Sequence, residues 1–192
     1  MKTHTKALFL AISLSLLPAA FAQHQSLAVN PDSSQVAFTL GGSGHHVQGT
    51  FRVKTGSIDF DPGAKKISGS VIIDAASGNS GEPSRDKNMN SNVLDTAHFT
   101  EVTFAPSSYQ GIIAHSGDST IQVSGTFTVH GTPHDLTLPM QIHIDGSNLT
   151  AKGRFTVPYV KWGLKDPSIF VLKVAKEVDI DLSLSGRLTS GR

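Results

Sequence analysis

The chain has 192 residues, a formal charge of +1 at pH 7 and no cysteine. Without cysteine it forms no disulfide, offers no thiolate nucleophile or thiolate zinc ligand, and carries no lipid on a cysteine. The nearly balanced charge gives no indication that the chain binds nucleic acid or an anionic membrane surface. The length is sufficient for one domain with a substantial core.

The first 22 residues have the layout of a cleaved export signal. Two lysines precede the apolar stretch from Ala7 to Leu17, and Ala20-Phe21-Ala22 forms a small-residue cleavage site. We therefore expect residues 1–22 to be removed and residues 23–192 to form a single exported domain. No second long apolar run follows, so we expect no transmembrane segment in the mature chain. Export of a chain without disulfides favours the bacterial periplasm, although an extracellular fate stays open.

Most of the mature chain alternates between apolar and polar side chains. Large apolar side chains occupy every second position at Val36, Phe38 and Leu40, and the same period of two recurs in later stretches such as 121–129. This period is typical of β-strands that bury one face. The turn at His130-Gly131-Thr132-Pro133 separates two such stretches and favours a hairpin-like succession.

One segment, from Ala75 to Ala97, breaks the alternation. It is polar and rich in serine, glycine and asparagine before it reaches a short run of charged residues. This pattern predicts a loop that leads into one short helix in the 80–92 region, with Ser80 or Ser84 as the helix cap.

A five-residue pattern of apolar, polar, glycine, polar and apolar residues occurs five times. Its central residues are Gly49, Gly69, Gly125, Gly153 and Gly186. A glycine on the inner face of a strand either permits a sharp bend or leaves space for something else. About eight strands with one apolar face each must bury those faces against one another, in a sandwich or a barrel. The glycines and the hairpin-like order favour an all-β fold, an eight-stranded antiparallel up-and-down barrel.

Short motifs along the mature chain have an order and spacing that are specific in combination. They are Asp32–Phe38, Gly49-Thr50-Phe51, Ser84–Met89, Val102-Thr103-Phe104, Gly125–Gly131, Trp162–Lys165 and Glu177–Asp181. In these motifs the chain resembles the YceI-like family of lipocalin-like, polyisoprenoid-binding proteins of the bacterial periplasm. The resemblance implies a barrel whose long apolar lumen takes an isoprenoid chain. Asn88 stands where the family frequently has histidine, so the resemblance leaves the head group open.

The predicted inward faces supply a candidate set of lumen residues that would contact a ligand. The set comprises Phe38, Phe51, Phe104, Phe127, Met140, Ile142 and Phe155. Burying an isoprenoid against them would be favourable by roughly 25 cal/mol for each Å² of apolar area removed from water. The alternative is that these side chains simply fill the barrel. Trp162, the only tryptophan, either lines the lumen mouth or fills that end as core.

Arg85, Asp86 and Asn88 are the candidate head-group residues. A cation and an amide beside helix N–H groups suit a phosphate group. In the alternative, Arg85 pairs with Asp86 or with a backbone carbonyl and the helix acts only as a lid.

The remaining motifs give no sign of a metal site or of catalysis. His45 and His46, and likewise His130 and His134, are expected in solvated turns without the converging ligands of a metal site. No nucleophile elbow, zinc-protease, P-loop or dinucleotide motif occurs, so we expect no enzyme and no cofactor.

The sequence therefore predicts a periplasmic protein that sequesters or carries an isoprenoid lipid, such as a quinone or a polyprenyl phosphate. A membrane protein that donates or receives the lipid is an open question. The alternatives are a filled barrel that acts through its outer surface in structure or stress response, and a hydrolase or isomerase of a small apolar substrate.

Overall fold

The structure is a computed structural model that describes residues 24–169 and 173–190, apart from the side chain of His45. The predicted export signal, residues 1–22, lies outside these residues and stays a prediction. In the described part of the chain no helix is both long enough and apolar enough to cross a membrane.

Strands dominate the described residues, in agreement with the alternating sequence. In chain order they are β1 (Gln25–Val29), β2 (Gln35–Gly42), β3 (His45–Phe51), β4 (Val53–Asp61), β5 (Lys66–Asp74), β6 (Glu101–Gly111), β7 (Gly117–Val129), β8 (Thr132–Asp145), β9 (Asn148–Val157) and β10 (Val174–Ser190). Every pairing between them is antiparallel.

These ten segments form a closed barrel of eight strands. The number is eight because two of the barrel strands are each interrupted once and so count as two segments. The long strand β10 pairs with β2 along its first part and with β1 along its last part. Across from them, β3 pairs with β2 and β4 pairs with β1. The segments β1 and β2 thus form one barrel strand, β3 and β4 form the next, and β4 to β10 pair in sequence. The predicted all-β, antiparallel up-and-down barrel is confirmed, although β1 was not predicted from the alternation of side chains.

The turn between β7 and β8 shows how the local sequence places consecutive strands side by side. His130 and Gly131 both have positive φ, 50° and 71°. Two central residues in the left-handed region match the twist of the flanking strands and produce a tight hairpin. The predicted turn is therefore confirmed, with only these two residues between the strands.

Three of the motif glycines allow neighbouring strands to approach closely. A β-carbon at Gly69 would overlap the carbonyl oxygen of Ser57, and one at Gly125 would overlap that of Ala105. The same holds for Gly186 and Ala28. These positions exclude any side chain because backbone occupies the space, which identifies them as sites of bending and close packing.

The helix α1 (Pro83–Asn88) lies in the predicted 80–92 region and continues into a wider turn over Met89–Val93. Its cap is Glu82, whose carboxylate accepts hydrogen bonds from the backbone N–H groups of Ser84 (3.1 Å) and Arg85 (2.7 Å). The prediction that Ser80 or Ser84 caps the helix was therefore wrong. With Pro83 as the first helical residue, Glu82 precedes the first turn and its longer side chain reaches the free N–H groups.

Candidate ligand-binding cavity

A cavity of about 750 Å³ runs through the inside of the barrel. Most of its lining consists of apolar side chains from the inward faces of the strands. The volume falls in the range of pockets that hold small organic ligands, roughly 300–1,000 Å³. The interior of this barrel is therefore not filled by its own side chains.

The seven predicted lumen residues all line this cavity: Phe38, Phe51, Phe104, Phe127, Met140, Ile142 and Phe155. Two pairs of rings pack against each other, Phe38 with Phe51 at 5.4 Å and Phe127 with Phe155 at 6.1 Å between centroids. The structure thus brings the set together on one surface. Contact of these residues with a ligand stays a prediction.

The motif glycines do not contribute cavity volume. None of the five lies among the lining residues. Gly49 is covered by the ring of Phe38, and Gly153 by the sulfur of Met140, which a β-carbon would approach to 2.5 Å. The interpretation that these glycines leave space for a ligand was therefore wrong, since backbone or side chains of neighbouring strands take that space.

Trp162 lies behind the cavity wall and does not line the cavity. Its ring stacks on His134, with centroids 4.2 Å apart and planes 5° apart, and packs against Phe127 at 5.7 Å. It belongs to a second apolar cluster with Val157 and Leu164. Of the two roles left open by the sequence, the structure gives Trp162 the core role.

His134 is half-buried by this stacking, which corrects its expected place in a solvated turn. Its Nε2 atom is buried without a hydrogen-bond partner. His130, at the adjacent turn, packs against Phe99 with ring centroids 4.2 Å apart. Within the described residues no three histidine, aspartate or glutamate side chains come together in an arrangement that could hold a metal ion.

Further lining residues lie on the same inward faces and were missed. Ile121, Val123, Leu138 and Ala151 line the cavity and are buried. The period of two that identified Phe127 and Met140 could have identified the first three, because they occupy the same phase of β7 and β8.

One end of the cavity differs from the rest, and we call it the mouth. Its polar lining residues are Ser43, Ser80, Glu82, Ser84, Arg85, Asn88 and Lys173. Glu82, Ser84 and Ile169 line the cavity and are also exposed, so the cavity reaches solvent here. The mouth is built from the β2–β3 turn, the segment around α1, and the described part of the connection between β9 and β10.

Hydrogen bonds fix two sides of the mouth to each other. The backbone N–H of Ser43 donates to the carbonyl of Lys173 (2.9 Å), and the N–H of Lys173 donates to Oγ of Ser43 (3.1 Å). The hydroxyl of Tyr159 donates to the carbonyl of Ala175 (2.7 Å). Burial of this phenol, aided by the charge of Asp166, raises the pKa of Tyr159 to about 12. Tyr159 therefore stays neutral and keeps donating this bond.

Arg85 is held in place at the mouth by Ser80. Its Nε donates to Oγ of Ser80 (2.8 Å) and its Nη2 to the carbonyl of Ser80 (2.9 Å). Asp86 accepts a hydrogen bond from the N–H of Ser80 (2.9 Å) and another from its hydroxyl. Ser80 therefore orders both charged side chains of the helix start.

Only two of the three candidate head-group residues face the cavity. Arg85 and Asn88 line the cavity, whereas Asp86 does not. The amide oxygen of Asn88 accepts a hydrogen bond from Nδ2 of Asn92 (2.7 Å). In the described part of the chain Arg85 forms no ion pair with a carboxylate and its Nη1 makes no hydrogen bond. Its pairing with a backbone carbonyl thus leaves a donor for a ligand.

A closed eight-stranded antiparallel barrel with an apolar cavity and a short helix at its mouth is a lipocalin-like barrel. The family model described as the YceI-like domain matches residues 27–186. The chain therefore belongs to the YceI-like family, in agreement with the resemblance of its motifs. A comparison with curated proteins finds no match.

Solved structures share this fold at low sequence identity. BcnA of Burkholderia cenocepacia has a TM-score of 0.67 and 23% identity, and the match covers 82% of this chain and 99% of BcnA. A polyisoprenoid binding domain of Saccharophagus degradans, implicated in plant cell wall breakdown, has a TM-score of 0.64 and 16% identity, with 85% and 98% covered. The Campylobacter jejuni YceI protein has a TM-score of 0.54 and 15% identity, with 97% and 98% covered.

Proposed function

We propose that this protein is an exported, non-enzymatic binding protein that holds an isoprenoid lipid in its barrel. The observation that carries the proposal is the cavity of about 750 Å³, which is apolar along most of its length and has its charged side chains and most of its polar ones at the mouth. An isoprenoid has the same division, a long apolar chain with one polar end. The chain would lie against the aromatic and aliphatic wall, and the head group would stay at the mouth.

Family and fold support this ligand class. The chain belongs to the YceI-like family, and a solved structure with the same fold is a polyisoprenoid binding domain. The alternative of a filled barrel has no support from the interior, which contains a cavity of ligand size. Export to the periplasm remains part of the proposal and rests on the layout of residues 1–22.

The polar groups at the mouth are compatible with two head groups. A polyprenyl phosphate would place its phosphate beside the guanidinium of Arg85, which offers Nη1 as a charge-assisted donor. A quinone would instead accept neutral hydrogen bonds from Arg85 or from the amide of Asn88. The two ligands differ in charge, and therefore in how strongly they depend on Arg85.

The test is lipid extraction from the protein expressed with its own export signal. Organic extraction of the purified protein followed by mass spectrometry should yield a near-stoichiometric isoprenoid and identify its head group. Fractionation of the same cells tests the compartment. A folded protein that is empty after purification, and that also fails to bind added quinone and polyprenyl phosphate, would overturn the proposal.

A further inference from the structure

We propose that the connection between β9 and β10 docks this protein, mouth first, onto lipid bilayers that carry anionic head groups. The inference rests on the proposed function, because it assigns the surface through which an isoprenoid would enter or leave. It concerns the described residues 158–169 and 173 of this connection together with residues 174–177, the first four of β10.

An exposed aliphatic side chain marks this surface. Among the described residues only two large apolar side chains are exposed, Ile112 (80%) and Ile169 (57%). Ile112 follows β6 at the end of the barrel far from the mouth. Ile169 lies at the mouth and also lines the cavity, so the apolar wall continues there to the outer surface. An aliphatic side chain in such a place can enter the boundary between lipid head groups and acyl chains.

The charge of this connection and of the first residues of β10 complements an anionic bilayer. Residues 158–177 contain four lysines, Lys161, Lys165, Lys173 and Lys176, and two carboxylates, Asp166 and Glu177. The segment is therefore positive (four minus two, or +2), whereas the mature chain as a whole has 14 basic and 15 acidic residues.

The four lysines are also available to a partner. All of them are exposed, and within the described residues none forms an ion pair. The carboxylate of Asp166 accepts a hydrogen bond from the backbone N–H of Ser168 (2.9 Å). Hydrogen bonds from the side chain and the backbone of Ser168 and, after them, the nearby charges of Lys176 and Lys173 lower the pKa of the Asp166 carboxyl. Because no ion pair in the described part of the chain fixes the lysines, all four can approach lipid phosphates, which attract cationic segments close to a membrane surface.

This surface lies beside the mouth, and its position favours a lipid bilayer as the binding partner. An isoprenoid that crossed water between a membrane and the cavity would expose its whole apolar chain. If the rim carrying Ile169 and the lysines rests on the bilayer, the chain passes from acyl region to cavity without that exposure. No comparable advantage follows from docking at the far end, where Ile112 lies.

Vesicle flotation of the mature protein tests the proposal. We expect flotation with vesicles of phosphatidylcholine and phosphatidylglycerol, little with phosphatidylcholine alone, and loss at high salt. The double variant Lys165→Glu/Lys173→Glu should weaken binding about tenfold or more, since each lysine near an anionic surface contributes appreciably. Ile169→Asp should weaken it as well. Matched controls at the far end, Lys65→Glu/Lys66→Glu and Ile112→Asp, make equal changes and should bind as the unaltered protein does.

Three results would overturn the docking surface: no flotation, equal flotation with and without phosphatidylglycerol, or equal losses in both sets of variants. Self-association through the same residues, detected by light scattering without lipid, would assign the surface to a second copy and overturn it too. Lipid extraction separates this result from the proposed function. A protein that carries isoprenoid but does not float would support the proposed function and refute the docking surface. A protein that floats through these residues but carries no isoprenoid would support the docking surface and refute the proposed function.

Discussion

The ring of Phe38 covers Gly49, its partner across the β2–β3 pair. A β-carbon at Gly49 would overlap that ring and would also lie 2.5 Å from the carbonyl oxygen of Asn79. The ring in turn packs against Phe51. The glycine therefore fixes the position of one aromatic part of the cavity wall.

Gly49→Ala should displace the ring of Phe38 and reduce both stability and ligand capacity. Overpacking of this kind costs about 1–3 kcal/mol of the free energy of unfolding. Urea unfolding and binding of a prenyl ligand would measure the two effects. The control is Gly41→Ala, because a β-carbon there would be 3.4 Å from Cβ of Ala175, an ordinary contact. A Gly49→Ala protein as stable as the control would contradict this account of the ring.

Ala151→Phe should block the cavity, since Ala151 is a small, buried residue of its lining. The larger ring would occupy space that the ligand needs, and bound lipid recovered by extraction should fall severalfold. The control is the next residue, Lys152→Phe, which introduces the same ring on the exposed outer face. If Lys152→Phe lost lipid equally, the effect would not come from the cavity.

The barrel could be predicted because its information is local and repeated. Phe127 and Met140 are identified as inward by the period of two, and the turn at His130 and Gly131 by its residue types alone. Gly125, a glycine on the inner face of a strand, was consistent with a sharply bent sheet, and the structure places the carbonyl of Ala105 where a β-carbon would lie. Closure follows because strands with one apolar face and short connections have few other ways to bury that face.

The mouth could be predicted only in part because its contacts are irregular. Nothing in the local sequence indicates that His134 would stack on Trp162, since the two lie on different elements. Lys173 and Ser43 meet across the mouth although 130 positions separate them. Residue types identified Arg85 as a candidate, but only the structure shows that Ser80 holds it against the cavity.

Arg85→Ala should distinguish the two candidate head groups. Hydrogen bonds to a charged group contribute about 1.5–3 kcal/mol, so loss of the guanidinium should weaken polyprenyl phosphate binding roughly 10- to 100-fold. Binding of a quinone with the same chain should change much less. Lys87→Ala, on the same helix but outside the lining, is the control for lost charge. Equal losses for both ligands would indicate that Arg85 acts through the helix and not through the head group.

Trp162→Leu should lower stability without lowering affinity for the ligand. The change removes the stack on His134 and the packing against Phe127, while the cavity lining stays intact. Because Trp162 is only half-buried, we expect a loss of roughly 1–3 kcal/mol, below the cost of truncating a fully buried tryptophan. Circular dichroism in urea would measure it. Phe127→Leu alters the lining itself and should reduce binding, so a loss of affinity in Trp162→Leu as large as in Phe127→Leu would contradict the assigned core role.

The cap of α1 should weaken in acid. Hydrogen bonds from the hydroxyl of Ser84, from its backbone N–H and from that of Arg85 lower the pKa of Glu82 from its ordinary value of 4.5. A carboxylate with a lowered pKa in the folded state stabilises that state above its unfolded pKa, and this contribution is lost as the pH falls through the folded value. The unaltered protein should therefore be more stable than Glu82→Gln near neutral pH, and the difference should vanish in acid. The Glu82 carboxyl, followed by NMR, should titrate below 4.5, and a midpoint at or above that value would refute the cap as a stabilising contact of the ionised side chain.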